Sequence, residues 1–218
     1  MRTLRGYLPL LSLLFACAPF AAAQSSFDLN FGLGSAHDGS NGGGIDNTTG
    51  LGCAPGSTST CQATSSLSGV FLGFGGDVLL QKHYGFGGEV SFNPAKQDYG
   101  PFQYRETFYD FNGIYAPVNE KKVQLKLMGG IGGARTGFSI VQSQCIGASN
   151  ACTSYSTPYL NANHFQLHVG VGVEIFVTEH VFVRPQFDFH YVPGLTDEFS
   201  STSVPAGMVW VGYSWGDR

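Results

Sequence analysis

HFQLHVGVGVEIFVTEHVFVRPQFDFHYV, residues 164–192, decides how the rest of the chain reads. In its first half Phe165, Leu167, Val169, Val171, Val173, Ile175 and Val177 take odd positions, with Gln166, His168, Gly170, Gly172, Glu174 and Phe176 between them. Such alternation is the signature of a strand whose two faces meet different surroundings. After a break at Thr178-Glu179-His180, Val183, Pro185, Phe187, Phe189 and Tyr191 continue the apolar face, and Arg184, Gln186, Asp188 and His190 the other. The segment reads as one hairpin, each arm about the 9 to 11 residues of a tilted membrane-crossing strand. Both arms keep their polar members on even numbers, so a turn centred on Glu179 makes opposed residue numbers sum to about 358. Glu174 is therefore expected to face Arg184 as a charge pair, and His168 to face His190.

Working outward, the 218-residue chain carries 31 glycines, 14% aromatic and only 12% charged residues. That charge content is well under the roughly 25% of an ordinary soluble domain. The formal net charge is −4, and Lys121-Lys122 is the sole basic cluster, so a nucleic-acid partner has no electrostatic footprint. Past the amino terminus no apolar run approaches the roughly 20 residues of a membrane helix. Any crossing of a bilayer must be made by strands.

Residues 1–23 read as a signal peptide: Arg2 and Arg5 form a basic start, Leu8 to Cys17 an apolar run, and Ala21-Ala22-Ala23 a small-residue cleavage site. Residues 24–218 are then the mature barrel domain. A lipoprotein signal at Leu14-Phe15-Ala16-Cys17 competes, with Phe15 fitting it poorly. Four cysteines remain, in two close pairs, Cys53 with Cys61 and Cys145 with Cys152, each in a Gly/Ser/Thr/Asn-rich stretch. In an exported chain these point to local disulfides; a zinc site is disfavoured by the spacing and by the lack of a nearby histidine.

Alternation recurs along the chain. Strands are expected around Phe27–Leu33, Val70–Val78, Phe86–Phe92, Thr107–Tyr115, Val123–Ile131, the two arms of the hairpin, and Val209–Trp215. Long loops are expected at Ser35–Ser66, Pro94–Gln103, Ser139–Asn163 and Pro193–Pro205, with short turns at Gln81–His83, Pro117–Lys121 and Thr178–His180. Eight strands joined alternately by long and short connections make an all-β, eight-stranded antiparallel up-and-down transmembrane β-barrel.

Period two alone does not say which face points inward. A secreted soluble barrel with an apolar interior is the competing arrangement. Three features favour an outward apolar face. The opposite face is rich in Gly, which makes room inside a narrow barrel and would weaken a solvent face. It also carries Asp28, Asp77, Glu89, Glu106, Asp110, Lys126, Glu174, Arg184 and Asp188, while the apolar face is free of charge at mid-strand. Aromatics such as Phe27, Phe92, Tyr109, Tyr115, Tyr191, Tyr213 and Trp215 gather toward strand ends, where an interfacial girdle would sit. Arg105 and Arg135 have outward parity but lie beside long loops, within reach of headgroups.

On VQLKLMGGIGGARTGF, the hairpin and the closing strand MVWVGYSW, the chain resembles the small outer-membrane β-barrel family, the OmpA/OmpX-like domain, over about Phe27 to Trp215. The resemblance implies residence in the outer membrane of a Gram-negative-type bacterium with both chain ends periplasmic. It also implies outer-membrane lipid, lipopolysaccharide and the outer-membrane assembly machinery as partners. The terminal strand is similar to the assembly signal, although Gly216-Asp217-Arg218 follows the final aromatic.

Eight strands enclose a lumen that side chains can fill, so no large pore is expected. The Glu174 and Arg184 pair reads as mutual neutralisation before it reads as an ion gate. His168, Asp188 and His190, with Asp110 and Lys126, form a lumen polar cluster. A hydrogen-bonded arrangement is favoured there over a metal site, and no serine stands near His190 to make a lipid-hydrolysing centre. With no phosphate loop or triad, no enzyme and no cofactor or metal is expected. The resulting function is structural, adhesive or surface-interacting through long outer loops, against the alternative of a slow ion channel or lipid-modifying barrel enzyme; the sequence names no extracellular partner.

Overall fold

The computed structural model describes residues 26–39, 65–146 and 151–216, with the backbone alone at 143–146 and 151–152. The signal segment, Cys17 and the Cys53–Cys61 pair lie outside the described residues. In order along the chain, the strands are β1 (Ser26–Ala36), β2 (Val70–Leu80), β3 (Tyr84–Phe92), β4 (Gln97–Tyr99), β5 (Phe102–Asn119), β6 (Val123–Ile146), β7 (Ala151–Phe176), β8 (Val181–Tyr191) and β9 (Ser203–Gly216). All neighbours are antiparallel, β1 pairs with both β2 and β9, and β3 pairs with β5, so eight strands close a ring. The three-residue β4 folds back on the start of β5 outside that ring.

The expected faces hold around the wall. Asp28, Asn112, Lys126, Glu174, Arg184 and Trp210 are buried, while Phe31, Phe111, Ile131, Val169 and Val211 stand about half exposed on the outer surface. An apolar exterior of this extent has no place in water but matches acyl chains. Near the short turns, Phe27 stacks on Trp215 with centroids 5.6 Å apart, Tyr84 on Tyr115 at 5.2 Å, and Tyr213 lies 4.5 Å from Trp215. These rings form one girdle. Toward the other end, Phe74 with Phe92 and the exposed Tyr109, Phe165 and Tyr191 mark the second.

Two expected loops are corrected. In Ser139–Asn163 the described residues are strand, with Ser139 opposite Pro158 and Cys145 opposite Cys152 in the β6–β7 ladder. Its Ser, Thr and Asn content suggested a loop, yet Ile140, Val141, Tyr155 and Thr157 carry strand propensity, and a polar ribbon in water needs no apolar face. Likewise Pro94–Gln103 contains β4 and the start of β5. The expected loop Ser35–Ser66 lies mostly outside the described residues, and within Pro193–Pro205 Leu195–Asp197 forms a single 3-10 turn that folds over the lumen.

Inner glycines act by close approach. A Cβ at Gly32 would lie 2.6 Å from the Trp210 ring, and one at Gly73 2.4 Å from it, so the indole occupies space that both positions leave. Gly207, on the outer face, has nothing within 4 Å of such an atom. Gly32→Val is expected to lower the stability of the folded barrel in detergent by about 1–3 kcal/mol, the usual cost of overpacking, whereas Gly207→Ala leaves it unchanged or raises it. Urea unfolding followed by the tryptophan signal checks both; equal midpoints for the two variants would show that Trp210 is not seated against β1.

Candidate functional site

The lumen is filled in layers. Leu79, Ile114, Ala116 and Met128 form a buried apolar cluster on the inner faces of β2, β5 and β6. Phe176 and Phe182 meet edge to face, their centroids 5.4 Å apart, with Lys126 Nζ 5.9 Å from the centre of the Phe182 ring.

Beside this cluster lies a network of charges drawn from most of the wall. Lys126 on β6 holds its Nζ 2.7 Å from Asp28 on β1, 2.7 Å from Asp77 on β2 and 2.7 Å from Glu174 on β7. Arg184 on β8 places Nη2 2.5 Å from Glu89 on β3, and Nη1 3.4 Å from both Asp77 and Glu174. Its guanidinium also lies 5.4 Å from the centre of the Trp210 ring. Two cations thus tie together carboxylates from β1, β2, β3 and β7. The register explains the meeting: Asp28 is directly opposite Asp77, and Gly172, opposite Lys126, leaves room for the Arg184 stem, whose Cδ would lie 3.0 Å from a Cβ there.

The next layer is built on histidine. His168 Nε2 lies 3.0 Å from Asp188 Oδ1 and its Nδ1 2.8 Å from Asn112 Oδ1. His190 stacks on His168 at 4.9 Å and on Phe108 at 4.6 Å. Asp110 accepts from Gln166, and Gln186 Nε2 donates both to Asp188 at 2.8 Å and to Glu89 at 2.9 Å, linking this layer to the charges below. His168, Asp188, His190 and Asp110 therefore come together, but Lys126 does not join them. It sits four residues along β6 from Gly130, the partner of His168, about 14 Å at a rise of ~3.4 Å per residue. Glu174 and Arg184 approach each other, yet each has a nearer partner, Lys126 and Glu89 respectively. Although ligand atoms of Asp110, His168 and His190 lie within 4.8 Å of one another, both His168 nitrogens and Asp110 already have hydrogen-bond partners.

The loop end is stopped by an aromatic plug absent from the expected site residues. Tyr99 from β4 meets Tyr104, Phe138 and Phe199 edge to face at 6.1, 5.3 and 5.6 Å, and its hydroxyl donates to the Glu198 carbonyl at 2.5 Å. Leu67, Leu195 and Phe199 are fully buried with it. A usable sequence signal existed: Tyr99, Leu195 and Phe199 are isolated large apolar residues in otherwise polar connections. Each such aromatic pair is worth about 0.5–1.5 kcal/mol beyond area burial, so the plug is held firmly. At its rim His164 Nε2 lies 3.2 Å from Glu198 Oε2, and Ser200 Oγ donates to Asp38 at 2.7 Å. Burial holds the Glu198 carboxyl above the usual carboxylate range, partly offset by His164 beside it.

Removing one partner from the charge network leaves the others buried and uncompensated. Lys126→Met is expected to cost about 3–5 kcal/mol in urea unfolding of the lipid-reconstituted chain, and adding Glu174→Gln to recover part of it. A raised carboxyl pKa means that the folded state binds the proton more tightly. Docking of the Leu195–Phe199 turn is therefore strongest below the ordinary value of 4.5 and weakens as pH rises through the raised one. Amide-exchange protection at Leu195 and Phe199, corrected for intrinsic rates, checks this, and Glu198→Gln is expected to flatten the profile.

A search of curated proteins found no match. Among solved structures, the fold is similar to Neisserial surface protein A, with a TM-score of 0.54 at 12% identity, covering 87% of this chain and 96% of that one. It is also similar to Ail, the attachment invasion locus protein of Yersinia pestis, solved with a heparin analogue, with a TM-score of 0.51 at 9% identity, covering 88% and 99%. At such identities the likeness is one of fold. The family model for the outer membrane protein beta-barrel domain matches residues 8–215, so the chain, with its closed ring of strands and apolar exterior, belongs to that family.

Proposed function

We propose that this is a non-enzymatic integral barrel of the outer membrane that works by surface interaction, structural or adhesive, at its loop end and not through its lumen. The observation that carries this reading is the ribbon made by the outer parts of β6 and β7. β5 accompanies β6 only as far as Ile140, and β8 accompanies β7 only from Leu167 onward. Past Ile140 the two strands continue together through Val141–Ile146 and Ala151–Ser156, about 20 Å at ~3.4 Å per residue. Every residue from 153 to 161 is exposed, Tyr155, Tyr159 and Leu160 among them. Investment in a projecting ribbon, above a lumen stopped by side chains, favours recognition over transport.

The short turns and the described ends of the chain share one end of the barrel, since Ser26 pairs with Gly216. In membrane barrels that end is periplasmic, which directs the ribbon and the plug outward and fits removal of residues 1–23 as a signal peptide. Lipopolysaccharide and the assembly machinery are the partners this placement supplies. Cys145 and Cys152 stand directly opposite in the ladder. Opposed Cα atoms in an antiparallel pair are about 4.5–5.5 Å apart, within the span of a disulfide. A bridge there would staple a ribbon that two strands alone hold only marginally, and Cys53–Cys61 would form the second.

Reconstituted in planar bilayers, the chain is expected to show no discrete conductance, and its deletion to leave lipid A mass unchanged. Steady single-channel steps, or a shifted lipid A mass, would replace this reading with the slow channel or the lipid-modifying enzyme. Thiol labelling in denaturant is expected to leave Cys145 and Cys152 unmodified until reductant is added; labelling beforehand would remove the staple.

A further inference from the structure

On the outer wall, where β5, β6 and β7 emerge above the apolar belt, Lys96, Arg105 and Arg135 border a cleft of about 350 Å³ whose remaining wall includes Thr107, Ser139 and Asn161. From this cleft we infer a binding site for the phosphate of a membrane glycolipid headgroup, the acyl chains of the same lipid lying on the belt below. The inference rests on the outward placement of the loop end proposed above.

Strand register assembles the cations. Arg135 is opposite Thr107 and Arg105 opposite Gly137, so the two arginines are diagonal neighbours on one face, about 7–8 Å apart at their bases. Gly137 places no side chain between them and lets the Asn161 amide oxygen approach, 3.1 Å from where a Cβ would stand. Lys96 is brought over the same ground by hydrogen bonds from Nζ to Ser139 Oγ at 2.7 Å and Ser156 Oγ at 2.5 Å. Arg105 is steadied by donating from Nη2 to the Pro94 carbonyl at 3.1 Å. An ammonium has three donors and a guanidinium five, so all three cations keep donors to spare. Among the described residues none of these three exposed cations has a carboxylate within ion-pair distance, whereas the buried Lys126 and Arg184 are crowded with them.

Position selects the occupant. Below Arg105 and Arg135 on the same face, Tyr109, two residues past Thr107, covers the opposed Gly133 with its ring; Phe111 and Ile131 follow as the next opposed pair on that face, with Phe165 opposite Gly133 and Leu167 opposite Ile131 on β7. Those side chains are exposed and apolar. A ligand bound here spans a cationic polar shelf and an oily wall within one molecule's reach. A lipid with a phosphomonoester head meets both, whereas a soluble polyanion meets only the shelf.

The full mature chain in phosphatidylcholine nanodiscs, doped with diphosphoryl lipid A or with the same lipid stripped of its phosphates, provides the test by native mass spectrometry. The wild type is expected to retain the phosphorylated lipid, and Arg105→Gln/Arg135→Gln to weaken retention roughly tenfold or more, the loss of about 1.4 kcal/mol or more of charge-assisted bonding. Arg105→Lys/Arg135→Lys is expected to fall between them. Equal retention of the phosphate-free lipid, or no effect of the double substitution, overturns the site. So does displacement of the lipid by inorganic phosphate or sucrose octasulfate, since the cleft would then read a soluble anion. Heat-modifiable migration on gels, recorded for the same samples, separates the two readings: its absence overturns the membrane barrel itself, while its presence with no phosphate preference overturns the cleft alone.

Discussion

Closure of the ring is the constraint from which the rest follows. In a bilayer no water is available for a strand's outer N–H and C=O groups, so every strand must have two neighbours. Pairing of β1 with β9 meets that demand and at the same time fixes the interior as a narrow tube. A tube of eight strands must be filled by its own side chains, and the alternation that turns hydrocarbon outward delivers whatever is left to the inside. Charge in the lumen is thus a consequence of the wall, and the fold must then dispose of it.

It does so by crossing the tube. Lys126 and Arg184 reach carboxylates on β1, β2, β3 and β7, so strands that are not neighbours in the wall are tied through the middle. An isolated ion pair of this kind adds little beyond the desolvation it must offset, but removal of any member is expensive. The network therefore acts more as a specification of register than as a source of stability: a strand slipped by one residue would point its carboxylate into lipid. Trp210 contributes in the same sense, its ring lying over Gly32 and Gly73 on two other strands while it also faces Arg184.

What the sequence disclosed and what it withheld divide along one physical line. Period two tells which face a residue takes, and it did so for Glu174, Arg184, His168 and Asp188 as much as for Val169 and Phe187. It says nothing of height along the axis, which depends on how all eight strands are staggered when the ring closes. Face alone therefore groups Lys126 with the histidines, whereas it lies nearer the turn end with Asp28 and Asp77. The hairpin at residues 164–192 was readable to its register because its turn is short and both arms alternate. The outer part of β6 and β7 was not, because in water a ribbon has no oily side and the pattern that betrays a strand disappears. Tyr99 and Phe199 were missed for a related reason: a plug is assembled from single residues on separate connections, and no local spacing announces it.

The same division of surroundings explains where chemistry remains possible. Inside, Lys126 and Arg184 pair with carboxylates, His168 is engaged by Asp188 and Asn112 with His190 stacked on it, and aromatic rings close the mouth. Groups so engaged are poor candidates for recognising anything else, because a ligand would first have to break bonds that burial has made strong. Outside, above the belt, Arg105, Arg135 and the exposed β6–β7 ribbon face water and headgroups with donors and edges still open. A barrel that spends its interior on holding itself together can present specificity only at that rim, and the rim is where this chain departs most from a plain cylinder.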